Sequence, residues 1–181
     1  MRTIEWKDGK VVTIDQSRLP HEEVIIEMKN CSEVAEAIKS MKIRGAPLIG
    51  AAAAYGLALT AYYSRANSKA ELLAELERCA ETLRKTRPTA VNLFWAIHRI
   101  LNKARSVEGD VKAVVEEVVE EANLIAEEDV EANRKMGRFG ARLIEDGDTI
   151  LTHCNAGALA TVDYGTALGV IRAAWEEGKK I

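Results

Sequence analysis

The sequence predicts an α/β chain in two parts: a mostly helical N-terminal domain with a small antiparallel sheet over residues 1–125, then a linking helix and the first βα unit of a second domain over 126–181. Three observations carry this. Apolar residues recur three and four apart over most of the stretch from Ser32 to Ile144, the period of helices with one buried face. Near the N-terminus two short runs flank Asp8-Gly9, a tight-turn dipeptide. Near the C-terminus Asp146-Gly147-Asp148 marks a turn, and the run Thr149 to His153 has the composition and length of a strand.

Taken in order, Thr3–Trp6 and Lys10–Ile14 form a predicted hairpin. Ser32 is the candidate N-cap of a helix whose Val34, Ile38 and Met41 share a face before Gly45 and Pro47 interrupt it. From Gly45 to Ser64 no residue is charged, over roughly the length a bilayer requires. Much of that segment is Ala, with Gly50, Gly56 and three tyrosines, and the weak hydrophobicity of Ala makes insertion poor. A helix packed on all sides within a small domain fits better, so no membrane partner is expected. Residues 69–85 place Leu72, Leu73, Leu76, Cys79, Ala80 and Leu83 inward and Glu71, Glu75, Glu81 and Lys85 outward, which makes Cys79 a core residue. Pro88 to Arg105 continues the pattern through Leu93, Phe94, Ile97, Ile100, Leu101 and Ala104, until Gly109-Asp110 breaks it. Val111 to Ile144 is one long run that Gly137 and Gly140 are expected to bend or interrupt. Its acids, Glu116, Glu117, Glu120, Glu121, Glu127, Glu128 and Asp129, share no oxygen-rich turn and predict a solvated face, not a cation site.

With 48% apolar and 29% charged residues the chain is ordinary for a globular protein, which excludes disordered and fibrous classes. A formal net charge of −3 gives no electrostatic reason to expect nucleic acid as a partner. Cys31, Cys79 and Cys154 form no Cys-x-x-Cys pair and no zinc spacing, and Met1 to Pro20 carries no secretory leader. Reduced thiols in a cytoplasmic protein are therefore expected. The single glutamine, Gln16, among many Glu, Lys and Arg is a weak sign of a thermophilic source.

Residues 150 to 161 break from an apolar run into a thiol, an amide and small residues. The predicted strand ends near Cys154, and helical spacing returns from Leu159 to Trp175 through Val162, Leu168, Ile171 and Ala174. Ligands of open α/β sheets bind at the carboxyl ends of strands, beside helix N-termini. A thiol facing unpaired N–H groups there can titrate below about 8.5 and do chemistry. Taken alone, a lone Cys is more often a small buried hydrophobe. His153 points to the opposite strand face, so it is expected to be a buried, hydrogen-bonded residue and not the base for Cys154.

Arg44-Gly45-Ala46-Pro47 and Arg87-Pro88-Thr89 share a logic. Pro is favoured in the first helical turn, so each arginine should stand at a helix N-terminus, where the helix dipole repels a cation. A bound phosphate removes the conflict, because guanidinium forks and free backbone N–H groups together form an anion pocket and Gly45 permits close approach. The bland alternative is two exposed or acid-paired arginines.

Lys42-Ile43-Arg44-Gly45-Ala46-Pro47-Leu48-Ile49-Gly50, Arg87-Pro88-Thr89-Ala90-Val91-Asn92-Leu93 and Thr152-His153-Cys154-Asn155-Ala156-Gly157-Ala158-Leu159-Ala160-Thr161 resemble the signatures of the S-methyl-5-thioribose-1-phosphate isomerase family. That family is grouped with the α, β and δ subunits of initiation factor 2B and with ribose-1,5-bisphosphate isomerase. The resemblance runs from the hairpin to the last residue. It implies a helical N-terminal domain, a Rossmann-like C-terminal domain, a homodimer and no metal or organic cofactor. The implied reaction is the aldose to ketose conversion of methylthioribose 1-phosphate to methylthioribulose 1-phosphate in methionine salvage. Residue by residue, Arg44, Gly45 and Ala46 match the family's substrate-binding loop, Arg87 its second substrate-binding arginine, and Cys154 its active-site cysteine.

In the family an aspartate that moves protons, a glutamine and an Asn-Lys pair follow later in the C-terminal domain, beyond Ile181. Trp175-Glu176-Glu177-Gly178 reads as a helix end and Lys179-Lys180-Ile181 as the start of a further strand. A lone strand cannot form a sheet, so residues 146–181 are expected to need strands supplied by a second chain or a longer parent protein. Two other functions stand beside the isomerase: ribose-1,5-bisphosphate isomerisation, and a non-catalytic regulatory subunit of the initiation factor 2B type.

Overall fold

The computed structural model describes residues 2–181. Strands β1 (Ile4–Lys7), β2 (Lys10–Ile14) and β3 (Ile25–Met28) form an antiparallel sheet in the order β1-β2-β3, with Ile4 opposite Thr13 and Val11 opposite Met28. The hairpin turns at Asp8-Gly9 as expected, with both residues at positive φ. The sequence reading missed β3: its buried Met28 and exposed Ile25 and Glu27 follow a turn-rich segment that ends in no tight hairpin signal.

Six helices follow: α1 (Cys31–Lys39), α2 (Ala46–Tyr62), α3 (Lys69–Arg84), α4 (Val91–Ser106), α5 (Val111–Ala141) and α6 (Ala167–Glu176). Helix α1 is capped by Asn30 and not by Ser32, because the Asn30 carboxamide oxygen accepts the Glu33 N–H at 2.9 Å. Val34 and Ile38 are buried, but Met41 lies beyond the helix at φ 65 and is exposed. Helix α2 is buried from Leu48 to Leu59 and forms the axis of the core, against which α1, α3, α4 and α5 pack. No helix is long and apolar enough to cross a membrane among the described residues. Its small residues permit close approach, since a Cβ at Gly50 would lie 3.1 Å from the Asn92 carbonyl oxygen on α4.

Cys79 is buried as expected, yet it is bonded to Cys31 in a disulfide between α3 and α1, with Cα atoms 6.0 Å apart. This corrects the expectation of three free thiols. Sequence spacing hid the pair because the two cysteines lie 48 positions apart and only the fold brings them together. The acids of α5 are largely a solvated face, tied to α4 by Lys103–Glu117 at 2.6 Å and by Arg99, which bonds both Glu121 and Glu128.

Helix α5 runs without interruption through Gly137 and Gly140, against expectation. Both glycines serve α6: a Cβ at Gly137 would lie 2.8 Å from the Tyr164 ring, and one at Gly140 2.6 Å from Val170. This contact builds a second apolar cluster of Ala141, Tyr164, Ala173 and Ala174, apart from the main core. The expected strand at 149–153 is absent. The segment is unpaired, and Leu151 is 95% exposed. Likewise 179–181 forms no strand, although the Gly147 N–H donates to the Lys180 carbonyl at 2.8 Å and so ties this segment to the turn at Asp146-Gly147. Neither has a neighbouring strand to complete its hydrogen bonds.

Candidate active site

The Arg44-Gly45-Ala46 loop is formed by the end of one helix and the start of another. After α1, the Ile43 N–H bonds the Ala37 carbonyl at 3.0 Å and buries Ile43 completely, leaving Arg44 exposed beside it. Gly45 caps α2 at φ 113, a conformation that favours glycine, and Pro47 occupies the first turn. No side chain caps α2, so the expected arrangement of an arginine before an uncapped helix N-terminus is present.

Arg87 departs from its expected position. Helix α4 begins at Val91 and not at Pro88, because Arg87 to Ala90 form a separate turn in which the Ala90 N–H bonds the Arg87 carbonyl at 3.0 Å. Arg87 therefore stands outside the first turn of α4. Its guanidinium instead donates to the Met41 sulfur at 2.9 Å, which brings it to the foot of the Arg44 loop.

Cys154 is free, exposed and at φ 67, in an irregular loop with no strand before it. The α-helix expected from Leu159 is replaced by a 3-10 turn, Ala158–Ala160, and α6 starts only at Ala167. His153 is exposed, where a buried residue was expected, because the strand that would have covered it does not form. Arg44, Arg87 and Cys154 make no hydrogen bond to one another.

What the structure does bring together is the backbone around them. A Cβ on Gly45 would lie 2.4 Å from the Ala160 Cα, so the arginine loop packs directly on the turn that follows Cys154. That turn is held on its other sides by the N-terminal sheet and α5. The Thr3 hydroxyl donates to the Ala158 carbonyl at 2.7 Å, the Thr3 N–H to the Val162 carbonyl at 2.7 Å, and the Gln16 amide to the Leu159 carbonyl at 2.7 Å. Asp129 accepts the Val162 N–H at 2.7 Å, and burial pushes its carboxyl up against the opposing pull of that donor. Asp129 is thus partly buried and structural, where the sequence placed it on a solvated face. Neither it nor Gln16 carried a sequence signal, since both act through backbone groups far away in the chain.

A cleft of about 220 Å³ adjoins this junction, lined by Pro47 and Gly50 of α2, Asn92 and Trp95 of α4 and Asp129 of α5. A wider depression of about 540 Å³ lies at the other end of α2, around Tyr62, Lys69 and Asp110, and contains none of the three motifs. No group of three or more His, Cys, Asp or Glu side chains placed to hold a metal ion occurs among the described residues.

The fold and the junction define a class of protein: a helical domain with a three-stranded sheet that seats an arginine-headed helix against the turn after a cysteine loop. The chain belongs to the initiation factor 2 subunit family, whose profile matches residues 42–181. It is 52% identical to a methylthioribose-1-phosphate isomerase of Acetivibrio thermocellus, over 100% of this chain and 53% of that protein. It is 54% identical to a putative methylthioribose-1-phosphate isomerase of Archaeoglobus fulgidus, again over 100% of this chain and 53% of the relative. Among solved structures it superposes on 5-methylthioribose 1-phosphate isomerase from Pyrococcus horikoshii with a TM-score of 0.93 at 48% identity, covering 99% of this chain and 50% of the other. It matches the translation initiation factor eIF-2B δ subunit from A. fulgidus with a TM-score of 0.90 at 53% identity, covering 99% and 52%. The chain spans about half the length of the curated relatives it matches.

Proposed function

We propose that this chain contributes the phosphate-binding and thiol half of an aldose–ketose isomerase acting on S-methyl-5-thioribose 1-phosphate. The observation that carries the reading is the packing of Gly45 on Ala160, which joins the arginine loop to the segment of Cys154. Arg44 and Arg87 hold the phosphate by charge-assisted hydrogen bonds, helped by the uncapped N–H groups at the start of α2. Cys154 then serves the sugar end. The isomerisation is an internal redox change: one carbon is oxidised as its neighbour is reduced and a hydrogen moves between them, so no external oxidant is consumed. A proton-carrying aspartate in the C-terminal half of the whole protein completes the pair with Cys154.

On this reading residues 1–125 form the helical domain and 126–181 lead into a Rossmann-like domain, with α5 continuous across the division and the second apolar cluster lying wholly within 126–181. The whole protein works as a cytoplasmic homodimer without metal or organic cofactor. The test is Cys154→Ser in the complete protein, which should abolish turnover while still binding the sugar phosphate. Unchanged turnover would remove Cys154 from the chemistry.

A regulatory subunit of the initiation factor 2B type is the second reading, favoured by the likeness to the eIF-2B δ subunit structure. It keeps sugar-phosphate binding and lacks turnover in the wild-type protein, so the same assay separates the two.

A further inference from the structure

We propose that Gln16 is a positioning residue that sets the spacing between the arginine loop and the turn after Cys154. The inference rests on the proposed site. Gln16 follows β2 and is nearly buried, 9% exposed. Its backbone N–H donates to the Lys42 carbonyl at 3.0 Å, two residues before Arg44. Its side-chain amide donates to the Leu159 carbonyl at 2.7 Å, five residues after Cys154. One residue therefore bonds both segments. Thr3 and Asp129 hold the turn but do not reach the arginine loop. The direct contact between the two loops, Gly45 against Ala160, is van der Waals packing of backbones, which carries no directional bond to fix their register.

The neighbouring bonds keep Gln16 itself in place. The Asp15 N–H donates to the Val24 carbonyl at 2.8 Å, and an Asp15 carboxylate oxygen accepts both the N–H and the hydroxyl of Ser17. Gln16 is thus anchored to the sheet on one side and reaches both loops on the other. It touches no reacting atom in this scheme. Its effect is on where Cys154 lies relative to a phosphate already bound.

Gln16→Leu, which removes the amide at similar size, and Gln16→Asn, which withdraws it by one methylene, test this in the complete protein. Expected in both is a fall of at least about tenfold in kcat/KM for the sugar phosphate, with the Kd for inorganic phosphate within about twofold of wild type. Gln16→Glu adds a readout that a merely structural residue would not give: a neutral carboxyl can donate to the Leu159 carbonyl and a carboxylate cannot. The ratio of its kcat/KM to that of wild type should therefore rise as pH falls through the carboxyl's range. Amide exchange at Ala160, Thr161 and Val162 should quicken in the Leu and Asn variants. Wild-type exchange there, or wild-type kcat/KM despite faster exchange, overturns the proposal. A wild-type protein without turnover refutes the isomerase reading instead, and the exchange measurement still decides whether Gln16 holds the turn.

Discussion

Gly45 and Ala160 meet backbone to backbone, 115 residues apart in sequence, so closely that a Cβ on Gly45 would lie 2.4 Å from the Ala160 Cα and 2.6 Å from its carbonyl oxygen. Gly45 also holds φ 113, which an L side chain rarely adopts. Gly45→Ala is therefore expected to destabilise the protein by about 2 to 5 kcal/mol, combining backbone strain with overpacking. A lowered denaturant midpoint at unchanged m-value would show it, and a wild-type midpoint would mean that the two loops separate freely.

The arginines should act on the anion alone. Arg44→Ala and Arg87→Ala are each expected to weaken phosphate binding by about 1.5 to 3 kcal/mol, roughly 10- to 150-fold in Kd by titration calorimetry. Arg65→Ala, on the exposed connection between α2 and α3, is the control and should leave the affinity unchanged.

The Cys31–Cys79 disulfide closes a loop of 48 residues around the N-terminal half of the core. Cys31→Ser, or reduction, is expected to cost about 2 to 4 kcal/mol by freeing the unfolded chain, read as a drop in Tm. Equal Tm values with and without reductant would show that the bond contributes nothing in solution.

Two neighbours on α5 should respond to pH with opposite signs. Burial holds the Asp129 carboxyl above its ordinary range, so its charge opposes folding above the folded-state pKa, and that cost disappears as pH falls through it. Asp129→Asn keeps an oxygen for the Val162 N–H and removes the charge. It should be more stable than wild type near neutrality, with the advantage shrinking in acid. Asp129→Ala leaves that N–H unpaired and should lose about 1 to 3 kcal/mol.

Arg99 holds the Glu128 carboxyl below its ordinary range, so this ion pair contributes stability above the unfolded carboxyl's pKa and loses it as pH falls through the folded one. Glu128→Gln should be less stable near neutrality, and its deficit should close in acid. Thermal melts of Asp129→Asn and Glu128→Gln across the carboxylate range check both signs, and parallel curves would contradict them.

The helices were legible because each buries one face, or in α2 every face, of a continuous run, and 3.6-residue spacing survives in sequence. The hairpin was legible through Asp8-Gly9. The boundaries that failed did so for nameable reasons. Asn30 competes with Ser32 for the cap, and the outcome depends on which backbone turns first. Pro88 can open a helix or sit in the turn before one. Gly137 and Gly140 read as breaks because their use, contact with Tyr164 and Val170, is tertiary. The 149–153 run has strand composition, but a strand is a property of a pair and this one has no neighbour. Of the candidate site, the residue types were visible and their order in the chain suggested a common pocket. The junction at Gly45 and Ala160, and the supports from Thr3, Gln16 and Asp129, depend on carbonyl and N–H groups that every residue carries, so no sequence pattern marks them.

Helix α5 has a mechanical consequence. At 31 residues it is about 46 Å long, and it passes through the main core and the second apolar cluster alike. Sharp bends in helices arise at proline, at paired small residues or at inserted turns. Here the only glycine pair in the helix is clamped by Tyr164 and Val170. The helix therefore behaves as a stiff axle, carrying α6 at one end and the ion-paired face of α4 at the other. Any closing movement of the cysteine loop toward the arginines must be taken up in the connection between Ala141 and Ala156, because the turn beyond it is pinned by Thr3, Gln16 and Asp129, and a proline introduced in that connection should slow such a movement more than one placed anywhere along the shaft.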